Sequence, residues 1–203
     1  MKIIVALCLL AFPVLLFPAA KQSDANVLKT YVSPDGVFRF SYSQILFRCP
    51  QGNEPEDQSE PPGTCESQMS ICDDDDDSTL TLACFGYPEM GATFAVAEVK
   101  EAKTEDACLA GPVGWPMVMH GTRIIHGVRF KVFEVSSAWT GGGLSGKLYR
   151  TFHLSKCYEL GIRSVRSSNS QDDPDEVSRP TNKDAVEVRT RLEQPLKSFR
   201  FLK

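Results

Sequence analysis

Three histidines and seven cysteines carry the widest chemical repertoire in this 203-residue chain. Imidazole serves as general base, proton carrier or metal ligand, and a thiolate as nucleophile or metal ligand. His120 and His126 approach one another if the chain bends between them, and His153 ends a neighbouring strand, so a His-rich metal site is one arrangement open to them. None of the three sits in a recognised catalytic motif, and a histidine in a strand or turn ordinarily bonds to its neighbours. The sequence therefore assigns no catalytic, cofactor-binding or metal-ligating residue and no cofactor.

Two further stretches invite chemistry. Gly141-Gly142-Gly143-Leu144-Ser145-Gly146 is glycine-rich, but it lacks the lysine and following helix of a phosphate-binding loop and does not match the dinucleotide fingerprint. A flexible hairpin loop is predicted, with ligand contact left open. Asp73 to Asp77 presents hard carboxylate oxygens suited to calcium. Counted from Asp73, however, positions six and twelve hold Ser78 and Cys84, where an EF-hand needs Gly and Glu. A solvated acidic turn is predicted, and whether it takes calcium stays open. Trp115 and Trp139 flank turn regions, as groove lining or as core plugs.

The elements that position these residues begin with an address. Met1-Lys2, the apolar run Ile3 to Phe17 and the exit Pro18-Ala19-Ala20 follow the order of a secretory signal over residues 1–20. Ser23-Asp24-Ala25 offers a second cleavage site, after residue 25. An uncleaved anchor fits poorly with Pro13, Pro18 and the lack of a following basic cluster. A secreted or periplasmic protein is predicted, with no membrane span after cleavage and a single domain over residues 26–203. Six cysteines then remain: Cys49, Cys65, Cys72, Cys84, Cys108 and Cys157. An even number in an oxidising compartment argues for up to three disulfides, and the absence of a C-x-x-C pair removes support for a zinc or thioredoxin-type centre. Cys108, on a short helix, is expected to bond Cys157 on a sheet face. Cys49 with Cys84 and Cys65 with Cys72 would tie off the base and interior of the segment between strands.

That segment, residues 50–78, holds four prolines, ten acidic residues and no Lys or Arg, so it reads as an acidic insertion of disordered type. The chain has 42% hydrophobic and 24% charged residues with a mean hydropathy of −0.19, the profile of a globular protein. The formal charge of −4 becomes −5 when Lys2 leaves with the signal, and setting aside the insertion's −10 leaves +5 on the other 154 residues. The acidic balance argues against a nucleic-acid partner, and the asymmetry marks a mildly basic body beside an acidic loop.

Alternation predicts strands over Gly36 to Tyr42, Thr79 to Phe85, Thr93 to Val99, Met117 to Ile125, Val128 to Ala138, Lys147 to Leu154 and Lys156 to Val165. Thr104 caps a short predicted helix ending before Gly111-Pro112. Thr181 to Gln194 reads as a helix with Ala185, Val188 and Leu192 on one face, ended or kinked by Pro195, and Leu196, Phe199 and Phe201 form an apolar tail.

Asp35-Gly36-Val37-Phe38-Arg39-Phe40-Ser41-Tyr42, the pair Tyr149 to His153 and Lys156 to Leu160, and the ending Leu196-Lys197-Ser198-Phe199-Arg200-Phe201 together resemble the PsbP-like family. Its best-known member is the extrinsic photosystem II protein, and its fold recurs in a nuclear-import accessory factor and in small exported bacterial proteins of unknown function, which this chain resembles most. The resemblance implies an α+β fold with a central antiparallel sheet and helices packed on both faces, and it brings no common active site. The six cysteines and the acidic insertion depart from the family pattern. The reading is an exported, disulfide-stapled, non-catalytic binding or accessory protein acting on an unknown protein or envelope component. A hydrolase or metal-dependent enzyme on the same fold, or a structural surface protein, are the alternatives.

Overall fold

Phe38, Phe40 and Tyr42 alternate with Arg39 and Ser41, and the turn before them holds the strand in place. Gly36 adopts φ 66°, while the Ser33 hydroxyl oxygen accepts from the N–H groups of Val37 at 2.9 Å and Phe38 at 3.0 Å. The computed structural model describes residues 27–49, 78–87, 91–111, 117–140, 142–167 and 182–203. The signal segment, Cys65 and Cys72 with their expected bond, Asp73 to Asp77 and Trp115 lie outside the described residues.

The strands are β1 (Leu28–Val32), β2 (Phe38–Ser43), β3 (Phe47–Cys49), β4 (Thr79–Tyr87), β5 (Ala92–Val99), β6 (Met117–Ile125), β7 (Val128–Trp139), β8 (Gly142–His153), β9 (Lys156–Ser167) and β10 (Arg200–Phe201). Helix α1 (Glu105–Ala110) lies between β5 and β6, and α2 (Asn182–Ser198) between β9 and β10. The strands form two antiparallel sheets, a correction to the single central sheet expected. A seven-stranded sheet runs β3-β4-β5-β9-β8-β7-β6, and a three-stranded one runs β1-β2-β10. The fold is sheet-dominated. Val37 to Tyr42 separates from the main ladder because its aromatic face packs across that ladder.

One core joins the two sheets and α2. Phe40 meets Phe85 at 5.4 Å and Phe94 at 5.1 Å between ring centroids, both edge-on, and Phe38 stacks on Phe199 at 5.4 Å. Val188, Leu192 and Leu196 add the helix face, whereas Ala185, expected on it, is exposed. Pro195 does not end α2, which continues to Ser198. A proline forfeits its own N–H bond, and the turn beyond it is fastened from outside. The Ser198 hydroxyl oxygen accepts from the Ser41 N–H at 2.8 Å and lies 2.9 Å from the Gln194 carbonyl.

The glycine run expected as a loop is mostly strand. β8 begins at Gly142, with Gly142 paired to Trp139 and to Ser167. A Cβ on Gly146 would run into the Ile162 carbonyl, and one on Gly143 would lie 3.1 Å from the Ser137 carbonyl, so these glycines allow close strand approach.

Thr104 caps α1, its hydroxyl accepting from the Ala107 N–H at 3.2 Å, and Gly111 with φ 94° closes it. Cys108 on α1 is bonded to Cys157 on β9, with Cα atoms 5.4 Å apart. Cys157 faces away from Tyr158 and Leu160, which line the main core. The expected Cys49–Cys84 bond is not formed: Cys84 is disulfide-bonded while Cys49 is a buried thiol. The two stand directly opposite one another on β3 and β4. Among the described residues no helix is long and apolar enough to cross a membrane.

The Cys108–Cys157 bond closes a separation of 49 residues around one short helix. Replacing both by Ala is expected to cost about 3 to 4 kcal/mol in the chain-entropy account. Urea unfolding of the double variant beside the oxidised parent measures it.

Candidate functional site

The histidines do not converge, because each is held by a different partner. His126, in the tight turn after β6 with φ 44°, places Nε2 3.1 Å from the Lys197 carbonyl in the last turn of α2. A ring N–H there satisfies a carbonyl that the helix leaves open. His153 stacks on Phe201 at 3.9 Å between centroids and lies 2.7 Å from the Lys203 carbonyl, which secures β10 and the residues after it. Only His120 faces solvent in a polar setting, its Nε2 3.0 Å from Glu134 Oε1. Among the described residues no group of three or more His, Cys, Asp or Glu side chains is arranged to hold a metal ion.

His120 occupies its position through a register irregularity. The β6–β7 ladder shifts between Met119 and Gly121, and Gly121 takes φ 116°. The resulting bulge turns the imidazole toward Glu134. Lys147 on β8, directly opposite Glu134, approaches the same carboxylate oxygen at 3.4 Å. One row further along stand Ser136, Ser145 and Ser164 on β7, β8 and β9, with the Ser145 and Ser164 hydroxyls 3.2 Å apart. This exposed polar band crosses four strands on the side of the sheet that carries Tyr149 and Leu160, beyond the reach of α2. Exposed ion pairs contribute little to stability, so the band is chiefly a chemical surface.

The opposite side of the same strands buries charge. Arg150 Nε donates to Glu159 Oε2 at 2.7 Å, and Arg163 Nη2 donates to Glu159 Oε1 at 3.2 Å. Arg150 and Glu159 are register partners on β8 and β9, and both are almost fully buried. Each carboxylate oxygen thus receives a charge-assisted bond, the condition under which a buried ion pair offsets much of its desolvation cost. Alternation puts Glu159 and Arg163 on the same face of β9 as Cys157, but their pairing with Arg150 depends on register, which is set by tertiary contacts. The spacing of Glu159 and Arg163, two alternations apart on one strand, was the available signal.

A second set of titrating groups gathers where the β1–β2 turn meets the start of β9. Lys156 Nζ donates to Glu98 Oε2 at 2.7 Å, a bond that raises the lysine above its ordinary value. Burial raises Tyr158. The Ser33 side chain lowers Asp35 by hydrogen bonding, against the effect of burial, with help from the Val37 N–H and Lys156. On α2, burial pushes Glu193 up, but hydrogen bonds from Lys197 and Arg189 outweigh it and the net direction is down.

No protein-family model and no curated protein matches the chain. Among solved structures it is similar to the solution structure of cyanobacterial PsbP (CyanoP) from Synechocystis sp. PCC 6803. The TM-score is 0.41 at 10% identity, over 92% of this chain and 98% of that one.

Two predictions follow from these groups. Glu159→Gln leaves the buried Arg150 without its carboxylate and is expected to destabilise by about 3 kcal/mol, with Arg150→Met costing less because it also removes a buried charge; chemical denaturation of both variants gives the order. Asp35 and Glu193 bind protons less readily folded than unfolded, so their contribution is full above about pH 4.5 and is lost as pH falls through the lowered folded values. Lys156 and Tyr158 are raised, so their contribution is full below about pH 10 and is lost above it. The urea midpoint should fall at both extremes, and Asp35→Asn with Glu193→Gln should flatten the acid limb.

Proposed function

We propose that the chain is a secreted or periplasmic, disulfide-stapled accessory protein that recognises a partner through its basic body and does not turn over a substrate. The observation that carries this reading is the division of labour among the polar side chains. His126 and His153 are committed to backbone carbonyls and the Arg150–Glu159–Arg163 network is buried, while His120, Glu134 and Lys147 stand on an open sheet surface. A band of charge on rigid strands suits recognition, since it sets orientation without closing around a small molecule. A disulfide between α1 and β9 fits an oxidising compartment.

The PsbP-like assignment rests in this reading on the two quoted motifs that lie farthest apart in sequence. Asp35 to Tyr42 and Leu196 to Phe201 meet in the small sheet, where Phe38 pairs with Phe201 and Arg39 with Arg200. Helices covering both faces of the large sheet belong to the same proposal, with α2 over Tyr149 and Leu160 and α1 fastened to Cys157.

Partner capture from the native envelope fraction by the oxidised mature protein should weaken steadily as salt is raised, because exposed charges lose reach beyond about 8 Å at physiological ionic strength. Salt-independent capture would remove the electrostatic part of the claim. A metal-dependent activity in the parent, lost in a folded variant with His120, His126 and His153 replaced by Ala, would replace the accessory reading with an enzyme.

A further inference from the structure

The seven-stranded sheet ends on β6, and among the described residues no strand pairs with its outer edge. β6 is nine residues long, contains no proline, and exposes Val118 at 66%, Met119 at 61% and Ile124 at 69%. Edge strands of this length are normally blunted by charge or proline, since their open N–H and C=O groups template further pairing. Here the one arginine on β6, Arg123, lies with its guanidinium 5.9 Å from the Tyr149 ring centroid, folded over the sheet rather than along the edge. The bulge at His120 leaves Gly121 to Ile125 as a regular ladder register against β7.

Charge and length distinguish this edge from the β1 edge of the small sheet. β6 and β7 together carry Arg123, Arg129 and Lys131 against one acid, Glu134, which is already approached by His120 and Lys147. Lys131 stands opposite Thr122 and Arg129 opposite Ile124, one strand in from the edge, about 4.8 Å, within reach of a long side chain. β1, the corresponding edge of the small sheet, is five residues long and carries a single lysine.

We infer that the outer edge of β6 is a docking strand for an extended acidic segment of another polypeptide, which adds to the large sheet as an eighth strand. Main-chain bonds along Gly121 to Ile125 hold the segment, carboxylates at alternate positions meet Arg129 and Lys131, which share one face with Thr122 and Ile124, and apolar residues on the other face lie beside Gly121 and Ile125. A second copy of this chain fits less well, because pairing two β6 edges brings two basic clusters to one interface. This inference deepens the accessory reading and rests on it.

The test uses the oxidised mature protein and a fluorescent ten-residue peptide alternating valine and glutamate, read by anisotropy. Saturable binding is expected, falling at least about tenfold in the Arg129→Glu/Lys131→Glu variant, which should instead prefer the same peptide with lysine in place of glutamate. A peptide N-methylated at alternate amides should lose binding to the unmodified protein, a result that needs no variant to fold. No saturable binding of the acidic peptide, or equal binding of the N-methylated one, overturns the proposal. So does a dimer in sedimentation that Ile124→Asn dissociates, which would give the edge to a second copy. Salt-sensitive partner capture that survives Ile124→Asn and the charge reversal would overturn the edge assignment while leaving the accessory function standing; loss of salt-sensitive capture in those folded variants supports it.

Discussion

Phe38 and Phe40 stand between two sheets that, among the described residues, exchange no ladder hydrogen bonds, so the attachment of the small sheet to the large one is made by side chains. Tyr31 and Phe40 present rings to Phe85 at 5.5 and 5.4 Å, and Phe38 bridges Tyr158 at 6.4 Å to Phe199 at 5.4 Å. Aromatic contacts of this kind contribute through buried area and through edge-to-face geometry, and neither specifies a register as backbone pairing does. Register is supplied elsewhere, by β10 pairing with β2 and by the Ser198 hydroxyl against Ser41. The path of α2 follows from both constraints: its apolar face must meet the aromatic layer, and its last turn must deliver Arg200 and Phe201 to β2.

The large sheet is chemically two-sided. Its aromatic side excludes water through shape, with Phe85, Phe94, Leu160 and Phe130 buried together. The other side combines small apolar clusters, around Phe133, Val135 and Leu148 and around Cys108 and Cys157, with the paired Arg150 and Glu159. An ion pair in such a place contributes less to stability than an apolar pair of the same volume, and its value lies in penalising any arrangement that separates the partners. A strand slip by one residue between β8 and β9 would send Glu159 to the aromatic side. The pair therefore guards the β8–β9 register, on which the contact between the Ser145 and Ser164 hydroxyls depends.

Much of this was legible in the residues. Alternation located β6 to the residue and brought most other long strands within a few positions, because one half-buried face leaves a period-two record. The N-cap at Thr104 and the Cys108–Cys157 bond were readable because local chemistry and face assignment are short-range properties. β1 and β3 were not anticipated: Leu28, Lys29 and Thr30 are exposed, and the three residues of β3 are too few to show a period. The glycine run misled because glycine marks a turn and a close approach alike, and only the Ile162 carbonyl beside Gly146 separates the two. The candidate surface was least legible. Sequence grouped three histidines by type, whereas the chain spends two of them on carbonyls, and Glu134 and Lys147 become neighbours only through β7–β8 pairing.

The small sheet draws its strands from opposite ends of the described fold, and that arrangement sets a timetable. Ser41 waits for Ser198, a separation of 157 residues, and until β10 arrives Phe38 and Phe40 have only part of their cover. Contacts so distant in sequence form late, after the meander of β6 to β9 has closed through its short hairpins. A chain emerging from a ribosome or threading through a narrow channel would keep this aromatic strand unsatisfied until residue 201 had passed. Closure of the small sheet is therefore the last long-range step available to the chain, and a binder that shields Phe38 and Phe40 would hold it open.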